Sequence, residues 1–301
     1  PRPRDANDSA WTGIDWDGSF THGIRGLRVE AGVYPERLED AIGAGWKTGV
    51  ELPGSDGLGH VGAMKMISDG SLNTRSAFCS MPYSDIFPDF YGTLSYAPDQ
   101  IEAYFHVATC HGFAIACHAI GDEANTIVLN AAASTHAHGS IEHAQMLKPA
   151  DIPRFAKLGL TASIQPQHAM DDRDVITRFW ANPGGTPYSF KALHDAGVRL
   201  RMGSDAPVAP LDPWMAISAA VFGTESSDRE PFQPEQCLDA RTALAASTAV
   251  GRDRPEPGDP ADLVLLDRDP YAVSTPEEMR AMPVAATMLA GRWTYSSLHG
   301  E

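Results

Sequence analysis

Four short segments of the chain carry side chains able to hold a cation or move a proton, each inside or at the end of an apolar run. Lys65 lies in Ala63-Met64-Lys65-Met66-Ile67, and His118 ends Phe113-Ala114-Ile115-Ala116-Cys117-His118. His143 ends Ser140-Ile141-Glu142-His143, and Asp205 follows Arg199-Leu200-Arg201-Met202-Gly203-Ser204. Neutral imidazole nitrogens and carboxylate oxygens are ligands for zinc and similar divalent ions. An unmodified lysine ammonium has no lone pair and is not. Taken singly, each residue has an ordinary explanation. A strand-end histidine is more often a hydrogen-bonded structural residue than a ligand. An aspartate after Gly-Ser commonly caps a helix or a turn. A lysine in an apolar strand usually snorkels to solvent or pairs with a carboxylate. Four strand ends bearing such groups point instead to a shared site.

The elements that must position them read as strands alternating with helices. Strands are predicted at 27–33, 61–67, 113–118, 140–143, 160–165 and 199–203. Helices are predicted at 35–42, 98–111, 123–133, 149–158, 190–196 and 213–221, with a further one near 240–249. This alternation implies parallel β–α units, about six of them. The fold class is α/β, a (β/α) TIM-type barrel that is partial, because closure takes eight units and about 250 residues. An open doubly wound sheet is the alternative. Either architecture gathers the C-terminal ends of its strands, and hence the four residues, at one rim. The first twenty-odd residues read as an irregular lead-in. The stretches 68–97 and 171–187, rich in Gly, Pro, Ser and aromatics or in polar residues, read as loops that would shape a substrate pocket. Residues 252–260 form a charged, Pro/Gly-rich turn. Strands near 262–266, 285–289 and 292–295 around a helix at 275–282 then suggest a small β domain. The division expected is 1–252 for the barrel and 253–301 for the C-terminal segment of that domain.

Composition narrows the partners. Asp plus Glu number 39 against 23 Lys plus Arg, for a formal net charge of −16. That balance argues against nucleic acid and anionic membranes, which call for a basic surface. No apolar run is long enough for a membrane span. Four cysteines without a C-x-x-C pair make a disulfide framework unexpected and a reducing cytoplasm the default. The absence of an initiator Met suggests that the chain begins inside a longer gene product.

Six segments, in order, resemble one family. Lys65-Met66-Ile67-Ser68-Asp69-Gly70-Ser71-Leu72, Cys117-His118-Ala119-Ile120-Gly121-Asp122 and Ile141-Glu142-His143-Ala144-Gln145 are similar to motifs of the amidohydrolase superfamily, in its amidohydrolase-3 branch. So are Ser163-Ile164-Gln165-Pro166-Gln167-His168-Ala169, Gly203-Ser204-Asp205-Ala206-Pro207-Val208 and the closing segment Asp259-Pro260-Ala261-Asp262-Leu263-Val264-Leu265-Leu266-Asp267. The resemblance implies a divalent-metal site, one or two ions, with zinc the expected metal. Lys65 would be carboxylated and bridge two ions. His118 and His143 would bind as neutral imidazoles. Asp205 would touch a metal and act as general base on the attacking water. His168 would sit on a rim loop and contact substrate or oxyanion, with Asp69, Arg75 and Gln165 as further substrate-binding candidates.

The resemblance also exposes a departure. The family's first strand carries H-x-H, and the one H-x-H here, His136-Ala137-His138, follows an alanine-rich helix rather than an apolar strand. It reads as a turn on the far side of the barrel, which leaves the N-terminal ligands absent from this chain. The expected activity is hydrolysis of C–N bonds in amides, N-acyl compounds or formamides, on a small-molecule substrate. The chain would be a fragment of the full enzyme, completed by a missing N-terminal portion or by homo-oligomerisation. A catalytically inactive relic serving as a binding or regulatory module is the alternative, and a one-metal lyase or isomerase is a third reading.

Overall fold

The computed structural model describes residues 25–181 and 183–298; the predicted irregular lead-in lies outside them. The strands in chain order are β1 (Val29–Val33), β2 (Gly59–Ile67), β3 (Ile115–Ala119), β4 (Gly139–His143), β5 (Met146–Leu147) and β6 (Thr161–Ile164), then β7 (Thr186–Pro187), β8 (Arg199–Met202), β9 (Leu263–Leu266), β10 (Val284–Leu289) and β11 (Arg292–Ser296). Strands β1, β2, β3, β4, β6 and β8 form one six-stranded sheet in that spatial order, and every pair is parallel. The order never reverses. Right-handed crossovers therefore place the helices on one face throughout, as in a sector of a barrel and unlike a doubly wound sheet.

Burial follows that arrangement. Met64, Met66, Ile115, Cys117, Ile141, Ala162 and Ile164 point into the helical layer and are fully covered. The alternate residues face the other side, as the pleat requires. Register sets His118, Glu142, Ser163 and Arg201 side by side across four strands of that open face. The outer strands β1 and β8 are the edges of the sheet, so two more strands would be needed for an eight-stranded closure.

The helices are α1 (Leu38–Gly43), α2 (Pro98–Cys110), α3 (Asp122–Thr135), α4 (Ile152–Leu158), α5 (Pro166–Phe179), α6 (Phe190–Asp195), α7 (Pro213–Phe222), α8 (Ala240–Ala246) and α9 (Pro276–Arg280). Proline opens α2, α5, α7 and α9, where its missing N–H costs nothing. Helix α5 corrects the sequence reading. Residues 171–187, expected to be a loop, begin inside a helix of 14 residues and end in the short strand β7. The short strands β5 and β7 form an antiparallel pair that joins this region to the end of β4.

Strands β9, β10 and β11 make a separate three-stranded antiparallel sheet. It is tied to the start of β1 by Arg28, whose guanidinium bonds the Asp262 carboxylate and the Gly57 carbonyl. His136 ends α3 in the left-handed conformation, and the His138 carbonyl accepts from the Ile115 N–H at the N-terminal end of β3. This H-x-H therefore lies at the opposite end of the strands from His118 and His143.

Candidate metal centre

The long segment after β2 is anchored by two buried carboxylates. Asp69, 1% exposed, accepts the backbone N–H groups of Phe78 at 2.9 Å, Ile120 at 3.0 Å and Gly121 at 2.9 Å. Asp122 accepts the Ser80 N–H at 2.9 Å and its hydroxyl. Together they clip residues 78–80 onto the end of β3. The approach is so close that a Cβ on Gly121 would stand 1.9 Å from the Phe78 carbonyl oxygen, which is why glycine occupies this place in the His-Ala-Ile-Gly-Asp motif. The same clip orients His118. Its Nε2 donates to the Gly70 carbonyl at 3.1 Å, with Asp69 Oδ1 at 3.4 Å. In a neutral imidazole that leaves the lone pair on Nδ1.

His143 reaches the site by a backbone turn. Pleat alternation from Ile141 would send it into the helical layer, but His143 (φ +71°) and Ala144 (φ +43°) are both left-handed. Non-glycine residues adopt that region at a cost, and it recurs at functional sites. The His143 ring then packs edge-on to His118 at 4.5 Å between centroids and stacks on His168 at 5.9 Å, with 14° between their planes. His168 lies in the first turn of α5, not on a loop as expected, so a rigid element carries it. Asp205 follows β8 by three residues in a left-handed conformation (φ +53°), in a turn closed by Val208 N–H to Asp205 C=O at 2.9 Å.

One donor atom from each of His143, His168 and Asp205 lies within 4.8 Å of the other two. His143 Nδ1 and His168 Nε2 are buried with no hydrogen-bond partner. Buried polar atoms are rarely left so, and a cation or a water satisfies them. Burial pushes the His143 pKa from 6.5 down to about 2, helped by the positive charges His118, Lys65 and His168 would carry. Its imidazole is therefore neutral and able to act as a ligand at any ordinary pH. The donor set, two imidazoles and an exposed carboxylate, suits a divalent ion held by three protein ligands with an open position.

The structure thus brings His118, His143 and Asp205 to one end of the sheet, and adds His168 to the donors. Lys65 sits two residues before the end of β2, close enough for its charge to act on His143. Gln165 precedes α5 and donates to the Ser163 carbonyl at 3.3 Å. The Arg75 guanidinium is already engaged: it stacks 3.8 Å over Phe179 at the end of α5, and within the long segment it pairs with Asp85 at 3.0 Å and donates to the Asn73 carbonyl at 3.0 Å. Sequence reasoning passed over His168 as a ligand and Asn125, whose side-chain N–H₂ donates to the carbonyls of Ala119, Gly121 and Met146. The available signal for His168 was Pro166, a helix-opening proline two residues ahead of it.

The profile of the amidohydrolase family matches residues 25–295. The chain is 30% identical over 254 residues to Protein LONG AFTER FAR-RED 3 of Arabidopsis thaliana, covering 78% of this chain and 43% of that protein. It is 29% identical over 250 residues to the putative amidohydrolase YtcJ of Bacillus subtilis, covering 78% and 47%. To the N-substituted formamide deformylase of Arthrobacter pascens it is 27% identical over 222 residues, covering 68% and 40%. Among solved structures, an uncharacterized metal-dependent hydrolase from Pyrococcus furiosus superposes with a TM-score of 0.67 at 27% identity, over 79% of this chain and 47% of that one. The chain thus spans about half the length of the curated relatives it matches.

Proposed function

Because this chain belongs to the amidohydrolase family, we propose that it supplies the metal-binding and proton-transfer residues of a hydrolase that cleaves C–N bonds in amides, N-acyl amines or formamides. The observation that carries this reading is the convergence of His143, His168 and Asp205 donor atoms within 4.8 Å, with a buried, unpartnered nitrogen on each imidazole. A divalent cation there, for which zinc is our candidate, would supply Lewis acidity toward a carbonyl oxygen and toward water. His143, His168 and Asp205 would hold the ion, and His118 stands beside His143 with its Nε2 engaged by the Gly70 carbonyl. Asp205, exposed at the mouth, takes the proton from the attacking water and returns it to the leaving nitrogen. Lys65, as a carbamate, would add an anionic oxygen ligand. The substrate class is supported by the formamide-deformylase relative.

Hydrolysis of N-formyl and N-acyl amines is measured by release of amine from the zinc-loaded protein. Activity that disappears in Asp205→Asn supports the reading; an amide panel left untouched by the zinc-loaded protein refutes it. A binding-module reading draws on the position of the H-x-H at the opposite end of the strands. It requires that purified protein take up no stoichiometric zinc.

A further inference from the structure

Asp172 stands one helical turn after His168 on α5 and is 5% exposed. A carboxylate buried to that degree requires strong compensation. Its partners are three neutral side chains: Asn73 Nδ2 at 2.6 Å, Gln145 Nε2 at 2.9 Å and the Tyr188 hydroxyl at 2.5 Å. They come from three separate segments, the one after β2, the turn after β4 and the one after β7. Gln145 lies two residues beyond His143, and its carbonyl accepts the Tyr188 N–H at 2.6 Å. Asp172, Gln145 and Tyr188 thus close a ring of hydrogen bonds.

From this network we infer that Asp172 is a positioning residue of the site. It ties the helix that carries His168 to the turn that carries His143, and so sets the spacing and parallel stacking of the two imidazoles. Only a carboxylate fits the task. Its two oxygens accept all three donors, whereas an asparagine would offer one oxygen and turn its own N–H₂ toward donors that need an acceptor. Bonds to an ionised acceptor are also shorter and stronger than neutral ones, which suits a tether more than a packing contact. The left-handed backbone at His143, Ala144 and Tyr188 is held in place at the same point, since the carboxylate grips Tyr188 itself and Gln145, the residue after Ala144.

The inference rests on reading His143, His168 and Asp205 as cation ligands, and two measurements separate the two claims. The first is the ring ¹⁵N–¹H correlation spectrum of chelator-treated protein, with His143 and His168 signals assigned by single substitution. Asp172→Asn is expected to shift or broaden both, leaving His136 unmoved. The second is titration with Co²⁺, followed by its d–d absorption. Asp172→Asn is expected to weaken Co²⁺ binding roughly tenfold or more and to alter the band shape, as loss of an outer-sphere partner does. Tyr188→Phe removes one donor while keeping the ring packed. It should move the same signals by less, and it serves where Asp172→Asn does not fold. Ring signals that stay in place in both variants overturn the inference, as does Co²⁺ binding equal to wild type in affinity and spectrum. Failure of the wild type to bind Co²⁺ overturns the metal reading instead, and the ring spectra still decide the tether.

Discussion

Acidifying the metal-free protein tests the environment of His143. Desolvation, then the charges of His118, Lys65 and His168, hold its pKa at about 2 against an ordinary 6.5. Above pH 6.5 the ring is neutral in folded and unfolded chains alike and adds no pH dependence. Below it, the unfolded chain binds a proton that the folded chain refuses, so stability falls as pH falls, until the folded ring itself titrates. The slope approaches about 1.36 kcal/mol per pH unit, so the loss reaches roughly 2 kcal/mol at about pH 5. Other groups titrate over the same range, and comparison with His143→Gln removes them. Urea unfolding in EDTA, followed by tryptophan fluorescence, gives the stability of both proteins from about pH 8 to about pH 5. The stability of wild type relative to the variant should drop by about 2 kcal/mol across that range. Parallel profiles would refute the claim that His143 is held neutral by burial.

Three further comparisons probe the scaffold and the donors. Asn125→Asp places an oxygen against the carbonyls of Ala119, Gly121 and Met146 and should cost about 3 kcal/mol or more; a variant as stable as Asn125→Ala in urea would contradict the donor assignment. Gly121→Ala drives a Cβ into the Phe78 carbonyl and should cost about 1–3 kcal/mol. Gly43→Ala, with nothing within 4 Å of the added Cβ, should be neutral or stabilising, and equal melting shifts for the two would discredit the close-approach argument. His168→Ala should lower zinc affinity by more than the roughly tenfold typical of an outer-sphere loss, while His136→Ala leaves it unchanged. Isothermal titration reads both, and indifference to His168→Ala would remove it from the donor set.

Much of this architecture is written locally. Runs such as Phe113-Ala114-Ile115-Ala116-Cys117 are apolar and short, and Pro98 or Pro213 mark helix starts, so the β–α alternation and the strand-end position of His118 and His143 need only nearest neighbours to be legible. The family follows from the order of the motifs for the same reason. The tertiary structure decided what depends on long-range contacts. Asp172 occupies a buried position of α5 where periodicity calls for an apolar residue, so the helix read as a loop and His168 as its passenger. A carboxylate can stand there only because Asn73, Gln145 and Tyr188 arrive from distant parts of the chain. The left-handed turn at His143 and the three backbone donors on Asp69 are likewise invisible in a string of letters. Composition and spacing encode which face of an element is buried; which groups meet across the buried face is set by the packing of segments that the sequence keeps far apart.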